Sequence, residues 1–276
     1  MIKKILYKGF SKLSTISAKA KQRFAPTAVS VPPNVDIQFI DGYYYKLHND
    51  RRIFSPSING LNSLYLNIFK NQAYGFKSES EKPVIIDCGA NIGLGVIYWK
   101  ELFPQAKIIA FEPSIKVFEA LKKNMQEFGY NDVVCMNAAL STSEGYKEFT
   151  YHDDLSLSGS LLLEKNLGQT YQVQTVLLEK YLQEPIDFLK IDIEGEEVNI
   201  FPQVAKNINN IHNLFLEYHS FIQHSQSLSE FLKVLEDNQY RYYIEGEYKH
   251  KGPLLYDHVN MEQDLQVGIW AKKFTT

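Results

Sequence analysis

From Pro83 onward, short apolar runs alternate with stretches whose apolar residues recur at helical spacing. Residues 84–87 read as a first strand ending in a Gly-rich turn. Residues 94–103 read as a helix that stops before Pro104, and 107–111 as a second strand. Ser114 is placed to cap a helix whose Val117, Phe118, Leu121, Met125 and Phe128 face inward, and Gly129 closes it. Residues 133–139 form a third strand, with further strands at 148–151, 171–176, 188–193 and 214–218, and a helix at 228–237. Continuous apolar strands between amphipathic helices predict a parallel sheet covered on both faces. The last two runs, 240–244 and 265–271, have no obvious helix between them and predict an antiparallel edge.

Residues 31–80 follow a different pattern. After Pro32-Pro33, an aromatic run at 42–47, a turn at Asn49-Asp50 and Ile53-Phe54 suggest a hairpin. Leu61, Leu64, Tyr65, Ile68 and Phe69 then place a helix over 61–74. The chain thus divides into a basic segment (1–30), a small α+β N-terminal cap (31–80) and an α/β domain (81–276).

At 276 residues, 45% hydrophobic and 22% charged, the chain is long and apolar enough for a sizeable core. No apolar run approaches the ~18 residues of a membrane span. The net charge of -3 excludes a nucleic-acid binder held by bulk charge. Residues 1–30 nevertheless carry seven Lys or Arg and no acid. Lys8 and Lys12 interrupt their apolar stretches, so no signal-peptide core exists and a cytoplasmic location is expected. The segment reads as a solvated tail, or as a basic helix making weak peripheral contact with membranes through Ile5, Leu6, Phe10 and Leu13. Cys88 and Cys135 sit in apolar runs without zinc-like spacing and read as buried free thiols.

The chemistry concentrates at strand ends. Asp87-Cys88-Gly89-Ala90-Asn91-Ile92-Gly93 follows the first strand, where ligands of such sheets bind. Gly89 and Gly93 are expected to let the backbone approach a ligand. Glu112 ends the second strand and can accept hydrogen bonds from both hydroxyls of a ribose. The glycine spacing is not that of a dinucleotide fold, and Asp87 would repel a pyrophosphate. S-adenosylmethionine carries a sulfonium and an ammonium group instead, which Asp87, Glu112 and Asp192 would attract. Asn137, Ala138 and Ala139 end the third strand, where small side chains leave room for an adenine and Asn137 can bond its edge. A plain buried strand end fits there too.

A second acidic motif, Lys190-Ile191-Asp192-Ile193-Glu194-Gly195-Glu196-Glu197, follows the fourth main strand. Strand alternation puts Lys190, Asp192 and Glu194 on one side if the chain stays extended, and Gly195 lets it turn into a helix. Acids at this edge are costly unless paired or functional.

Taken together, IIDCGANIG, the FEP at 111–113, NAALS at 137–141, the LSGSLL loop, QTVLLEKYL, DFLKIDIEGEE and LFLEYH resemble the FkbM family of S-adenosylmethionine-dependent methyltransferases. The resemblance runs from Val84 to about His219 and implies a class I, Rossmann-like methyltransferase fold. It implies methyl transfer, usually to an oxygen of a small molecule or sugar. By position, Asp87, Gly89, Asn91, Gly93 and Glu112 correspond to the cofactor site, and Asp192, Glu194 and Glu197 to the family's DxEGxE signature. Phe201-Pro202 departs from the family's usual leucine and small residue. The cap and the residues beyond about 220 fall outside the resemblance and are expected to hold specificity for a small-molecule or glycan acceptor.

Transfer needs an acceptor oxygen in line with the S–CH3 bond and a base for its proton. Asp192, Glu194 and His219 are the candidate catalytic residues. A neutral His219 suits the role, and a hydrogen-bonded structural histidine fits the position as well. The same three side chains can ligate a divalent ion, but no closed ligand set is visible and no resident metal is expected. His152, His212, His224, His250 and His258 read as surface or loop residues, and 156–162 as a loop beside the site. An NAD(P)-dependent oxidoreductase and a non-catalytic adenosylmethionine-binding protein are the alternatives. Asp87, the glycine spacing and the lack of a Tyr-x-x-x-Lys pair weigh against the first.

Overall fold

A computed structural model describes residues 37–58, 60–151, 159–161, 169–246 and 263–274. The basic segment 1–30, the start of the cap, most of the 156–162 loop and His152, His250 and His258 lie outside the described residues.

The centre is a seven-stranded sheet built from β4 (Val84–Cys88), β5 (Lys107–Phe111), β6 (Val134–Met136), β11 (Ile186–Ile191), β12 (Ile211–Phe221), β13 (Tyr240–Gly246) and β14 (Gln263–Lys273). Its order is β13-β14-β12-β11-β4-β5-β6. All neighbours from β12 to β6 are parallel, and β14 runs antiparallel to both β12 and β13. This is a mostly parallel sheet with an antiparallel edge, as the apolar runs predict.

Side-chain alternation divides the core. Ile85, Phe188 and Phe215 join one apolar layer, and the adjacent Ile86, Leu189 and Leu214 join the other. The first layer is covered by α2 (Leu94–Leu102) and α3 (Ile115–Phe128), the second by α4 (Glu197–Lys206) and α5 (Leu228–Asp237). Gly129 ends α3 at φ 73°, the left-handed conformation a helix terminus favours.

The cap is not an independent unit. Its strands β1 (Gln38–Ile40), β2 (Tyr43–His48) and β3 (Arg51–Ser55) make an antiparallel sheet, followed by α1 (Leu61–Tyr65). Ile53, Leu61, Tyr65, Ile68 and Phe69 belong to the same apolar layer as Ile97, Trp99 and Leu121. Each such burial stabilises the fold by about 1.5–3 kcal/mol. Buried Asn124 of α3 fixes the join: its Oδ1 accepts from Phe54 N at 2.7 Å, and its Nδ2 donates to Phe54 O and Ile92 O.

Two expectations change. The helix placed over 61–74 is regular only to Tyr65, then widens into a π turn over Leu66–Lys70, and Gln72 has φ 56°. The indoles of Trp99 and Trp270 donate to the carbonyls of Tyr74 and Ala73, drawing the following segment out of helical geometry. The single strand placed over 133–139 is two. After β6, Asn137 turns the chain, and β7 (Ala139–Leu140) joins β8 (Gly145–Tyr151), β9 (Gly159–Ser160) and β10 (Gln169–Val176) in a separate four-stranded sheet.

Candidate active site

The site lies at the carboxyl ends of β4, β5, β11 and β12. Both Gly89 N and Ala90 N donate to Phe111 O, which folds the turn after β4 against the end of β5. Gly89 has φ +86°, and a Cβ there would sit 1.8 Å from the Asp192 carbonyl oxygen. Its glycine is therefore required by the neighbouring chain of β11. Gly93, also at φ +86°, would place a Cβ against Leu121 and Met125 of α3. It permits close helix packing, and it does not border the ligand compartments described below.

Asn91 stands at φ 53°, held by its own Oδ1 accepting from Ile92 N. That conformation aims Asn91 N at Glu112 Oε2, 2.9 Å away, while Ser114 N donates to Glu112 Oε1 at 2.8 Å. Glu112 is buried, and burial pushes its carboxyl up to about 8 even though both backbone donors pull it down. Each of its oxygens retains acceptor capacity. Asn137 uses its Nδ2 on the carbonyls of Glu112 and Pro113. It positions Glu112, and it is Ala138 that lines the compartment beside it.

Asp87 is 1% exposed and forms part of the wall of an inner compartment. Lys190, equally buried, lies 3.3 Å from both Asp87 Oδ1 and Asp192 Oδ2 and donates to Gly89 O at 2.8 Å. Burial alone would lower the Lys190 ammonium, but Asp192 and Asp87 hold it well above its ordinary range. To the acids expected from the sequence the structure adds a buried lysine, which offsets Asp87 and pairs with Asp192.

Beyond Asp192 the chain does not stay extended. Glu194 has φ 56° and Gly195 φ 107°. Buried Glu197 closes this turn, accepting from Ile193 N at 2.8 Å and Gly195 N at 2.7 Å. His219 Nδ1 lies 3.1 Å from Glu197 Oε1, and its Nε2 is 3.6 Å from Glu194 Oε2. Burial would push the imidazole down, but Glu197, Glu194 and Glu217 together raise it well above its usual value. His219 is 2% exposed and reaches none of the ligand compartments. This placement favours the hydrogen-bonded structural histidine over the neutral base, because the three glutamates favour the protonated imidazole beneath the acidic turn. The conceivable ligand trio also shifts: side-chain ligand atoms of Asp192, Glu197 and His219, rather than Glu194, come within 4.8 Å of one another. Glu197 already serves two backbone amides there.

Three compartments meet at Asn91 and Asp192. One is lined by Glu112, Phe111, Ala138, Leu140, Phe149 and Leu161, an apolar slot with a carboxylate at its side. A second, under α1, is lined by Asp87, Gly89, Ala90, Lys190, Leu64 and Tyr74. The third is an outer chamber of about 840 Å³ between residues 60–75 of the cap and the antiparallel edge. Its Glu217, Tyr74, Tyr243 and Trp270 were not singled out in sequence. Only the end of a predicted strand, at Glu217-Tyr218-His219, pointed toward it.

The FkbM methyltransferase domain matches residues 87–242. Methyltransferase sdnD of Sordaria araneosa is 30% identical over 175 residues, covering 51% of this chain and 68% of the relative. The 2-O-methyltransferase NoeI of Sinorhizobium fredii (strain NBRC 101917 / NGR234) is 24% identical over 159 residues, covering 51% and 65%. The crystal structure of a methyltransferase FkbM from Methylobacillus flagellatus KT superposes with a TM-score of 0.47 at 12% identity, covering 75% of this chain and 47% of that one. The matched stretch holds the turn after β4, Glu112, the acidic turn and His219, while most of the outer chamber's wall lies before or after it. By that match, which displaces the oxidoreductase alternative, the chain belongs to the FkbM methyltransferase family.

Proposed function

We propose that the protein transfers a methyl group from S-adenosylmethionine to a hydroxyl oxygen of a sugar or other small molecule. The observation that carries this reading is the meeting of an apolar compartment flanked by Glu112 and a large polar chamber at two carboxylates, Asp192 and Glu194.

The residues fit the methyl donor. Glu112 presents unfilled acceptor positions, which suit the vicinal hydroxyls of a ribose. Phe111, Ala138, Leu140 and Phe149 offer an apolar slot for a flat base. Asp192, reaching the second compartment beside Lys190, suits an ammonium and carboxylate pair. When bound, the donor supplies an activated methyl group on a sulfonium.

Asp192 is the group at the junction that takes the acceptor's hydroxyl proton, onto a carboxylate oxygen. Glu194 borders both the nucleoside compartment and the outer chamber, and flanks the same position. Lys190 fixes the Asp192 side chain from beneath. Glu197 and His219 hold the turn that carries both acids. Oxygen as the receiving atom is supported by the carboxylate base and by the name of one relative, a 2-O-methyltransferase.

Calorimetry with S-adenosylhomocysteine and with NADH tests the donor, and binding of the first alone is expected. Incubation with labelled S-adenosylmethionine and a library of hydroxylated acceptors, read by mass spectrometry, tests the receiving atom. Label found on carbon or nitrogen in every product would sink oxygen transfer.

A further inference from the structure

The floor of the outer chamber is an ordered piece of sheet. Gly268 of β14 pairs with Glu217 of β12 on one side and with Glu245 of β13 on the other. The two acids therefore stand in one row, two strand spacings or roughly 10 Å apart, with no side chain between them. Two residues along, Trp270 pairs with Phe215 and Tyr243, giving a parallel aromatic row. The indole of Trp270 leans back over Gly268: a Cβ on Gly268 would lie 2.7 Å from its ring. The result is an aromatic platform with a carboxylate at each side, opening into the chamber.

The chamber's charge is one-sided. Among the described residues lining it, Asp192, Glu194, Glu217 and Glu245 are acids and none is Lys, Arg or His. Asp192 and Glu194 also border the donor compartments, so the donor's positive centres account for them. Glu217 and Glu245 line the outer chamber alone. Burial pushes the Glu217 carboxyl up to about 8, and Gln266 Nε2 donates to its Oε1 at 2.6 Å. Glu245 therefore supplies the standing charge, and Glu217 ionises as a cation seats on the ring face between them, where the ring's quadrupole adds to the attraction.

Resting on the reading of this chamber as the acceptor site, we propose that the acceptor is a hydroxylated amine, such as an amino sugar. Its protonated amine seats over Trp270 between Glu217 and Glu245, and a hydroxyl is presented to Asp192. A protonated nitrogen has no lone pair to attack a methyl group, so the same contacts direct transfer to oxygen. Anionic acceptors, including phosphorylated sugars and uronic acids, meet Asp192, Glu194 and Glu245 in the chamber wall and are disfavoured.

Ligand-detected NMR with glucosamine, glucose and glucuronate, in the presence of S-adenosylhomocysteine, tests the proposal. Glucosamine is expected to bind about 10-fold more tightly than glucose, and glucuronate more weakly than either. Both Glu217→Gln and Glu245→Gln should shrink the amine preference. Glu245 is exposed, so its variant keeps the test valid if the buried Glu217 variant fails to fold. Equal binding of glucose and glucosamine, no binding of glucosamine, or a preference that survives Glu245→Gln would overturn the proposal. Repeating the titrations without S-adenosylhomocysteine separates this inference from the methyl-donor reading. An amine preference there supports the platform even if the homocysteine ligand does not bind.

Discussion

The two halves of the site are built by different means. In the donor half, two acids are anchored by backbone, Glu112 by the amides of Asn91 and Ser114 and Glu197 by those of Ile193 and Gly195. The strand ends dictate that geometry, and little can move without breaking the sheet. The acceptor half is built from side chains on elements remote in sequence, residues 60–75 and the edge formed by β12, β14 and β13, joined by the bond from Trp270 Nε1 to Ala73 O at 2.6 Å and by the packing of Tyr74 on Phe215. Backbone anchoring suits a ligand that stays the same. A surface of side chains suits one that changes between related proteins.

That contrast breaks most sharply at Asp192, which belongs to both halves. Asp192→Asn is expected to lower the rate of methyl transfer about 10²–10⁴-fold with a smaller loss of S-adenosylhomocysteine affinity. Single-turnover kinetics beside calorimetry separates the two. A larger loss in binding than in rate would assign Asp192 to the donor half alone.

Gly89→Ala should damage the donor half through its frame. The new methyl group collides with the Asp192 carbonyl, and the expected cost is about 2–4 kcal/mol in thermal or urea unfolding. Gly42→Ala is the control, because Gly42 has nearly the same φ, +81°, but open space around its Cβ position. Equal destabilisation would reduce the effect to backbone strain.

Glu112→Ala is expected to weaken S-adenosylhomocysteine by about 2–3 kcal/mol. The same residue sets a pH dependence. Its carboxyl is raised to about 8 by burial, so the ligand-free protein holds a proton there at neutral pH. Accepting ribose hydroxyls favours the carboxylate, so binding releases that proton. Affinity should therefore rise with pH by up to about tenfold per unit until about 8 and then level off. Calorimetry in buffers of different ionisation enthalpy reads the proton directly, and Glu112→Gln should flatten the profile.

The smallest effect is expected in the acceptor half. Tyr243 is 60% exposed at the chamber wall. Tyr243→Ala should raise the acceptor's KM by about 3- to 10-fold, on the scale of one aromatic contact, with donor affinity unchanged. A change in donor affinity would mean that the two halves are coupled through the sheet.

Legibility in the sequence follows the same division. The parallel sheet, its antiparallel edge and helix α5 were readable because apolar periodicity is local and strong. Asp87, Gly89 and Glu112 could be located because their spacing follows from a strand, a turn and the next strand. What they do was less accessible. Lys190 offsets Asp87 across two strands, and the Cβ clash that fixes Gly89 comes from a residue over 100 positions later. His219 read as a base because its strand end is visible in sequence. The three glutamates that favour its protonated form come together only in the fold. The floor around Gly268 depends on the register of three strands, which no local pattern records.

The placement of β14 carries a consequence for how the protein is made. β14 lies later in the chain than β13 yet is inserted between β13 and β12. During synthesis, the strands that hold the donor site can pair while β13 still has no neighbour in the sheet. The last strand must then enter an already formed gap, a long-range step that slows folding. A nascent chain halted before residue 263 would lack Gly268 and Trp270, and with them the platform for an acceptor. The two compartments stand side by side only once β14 occupies that gap.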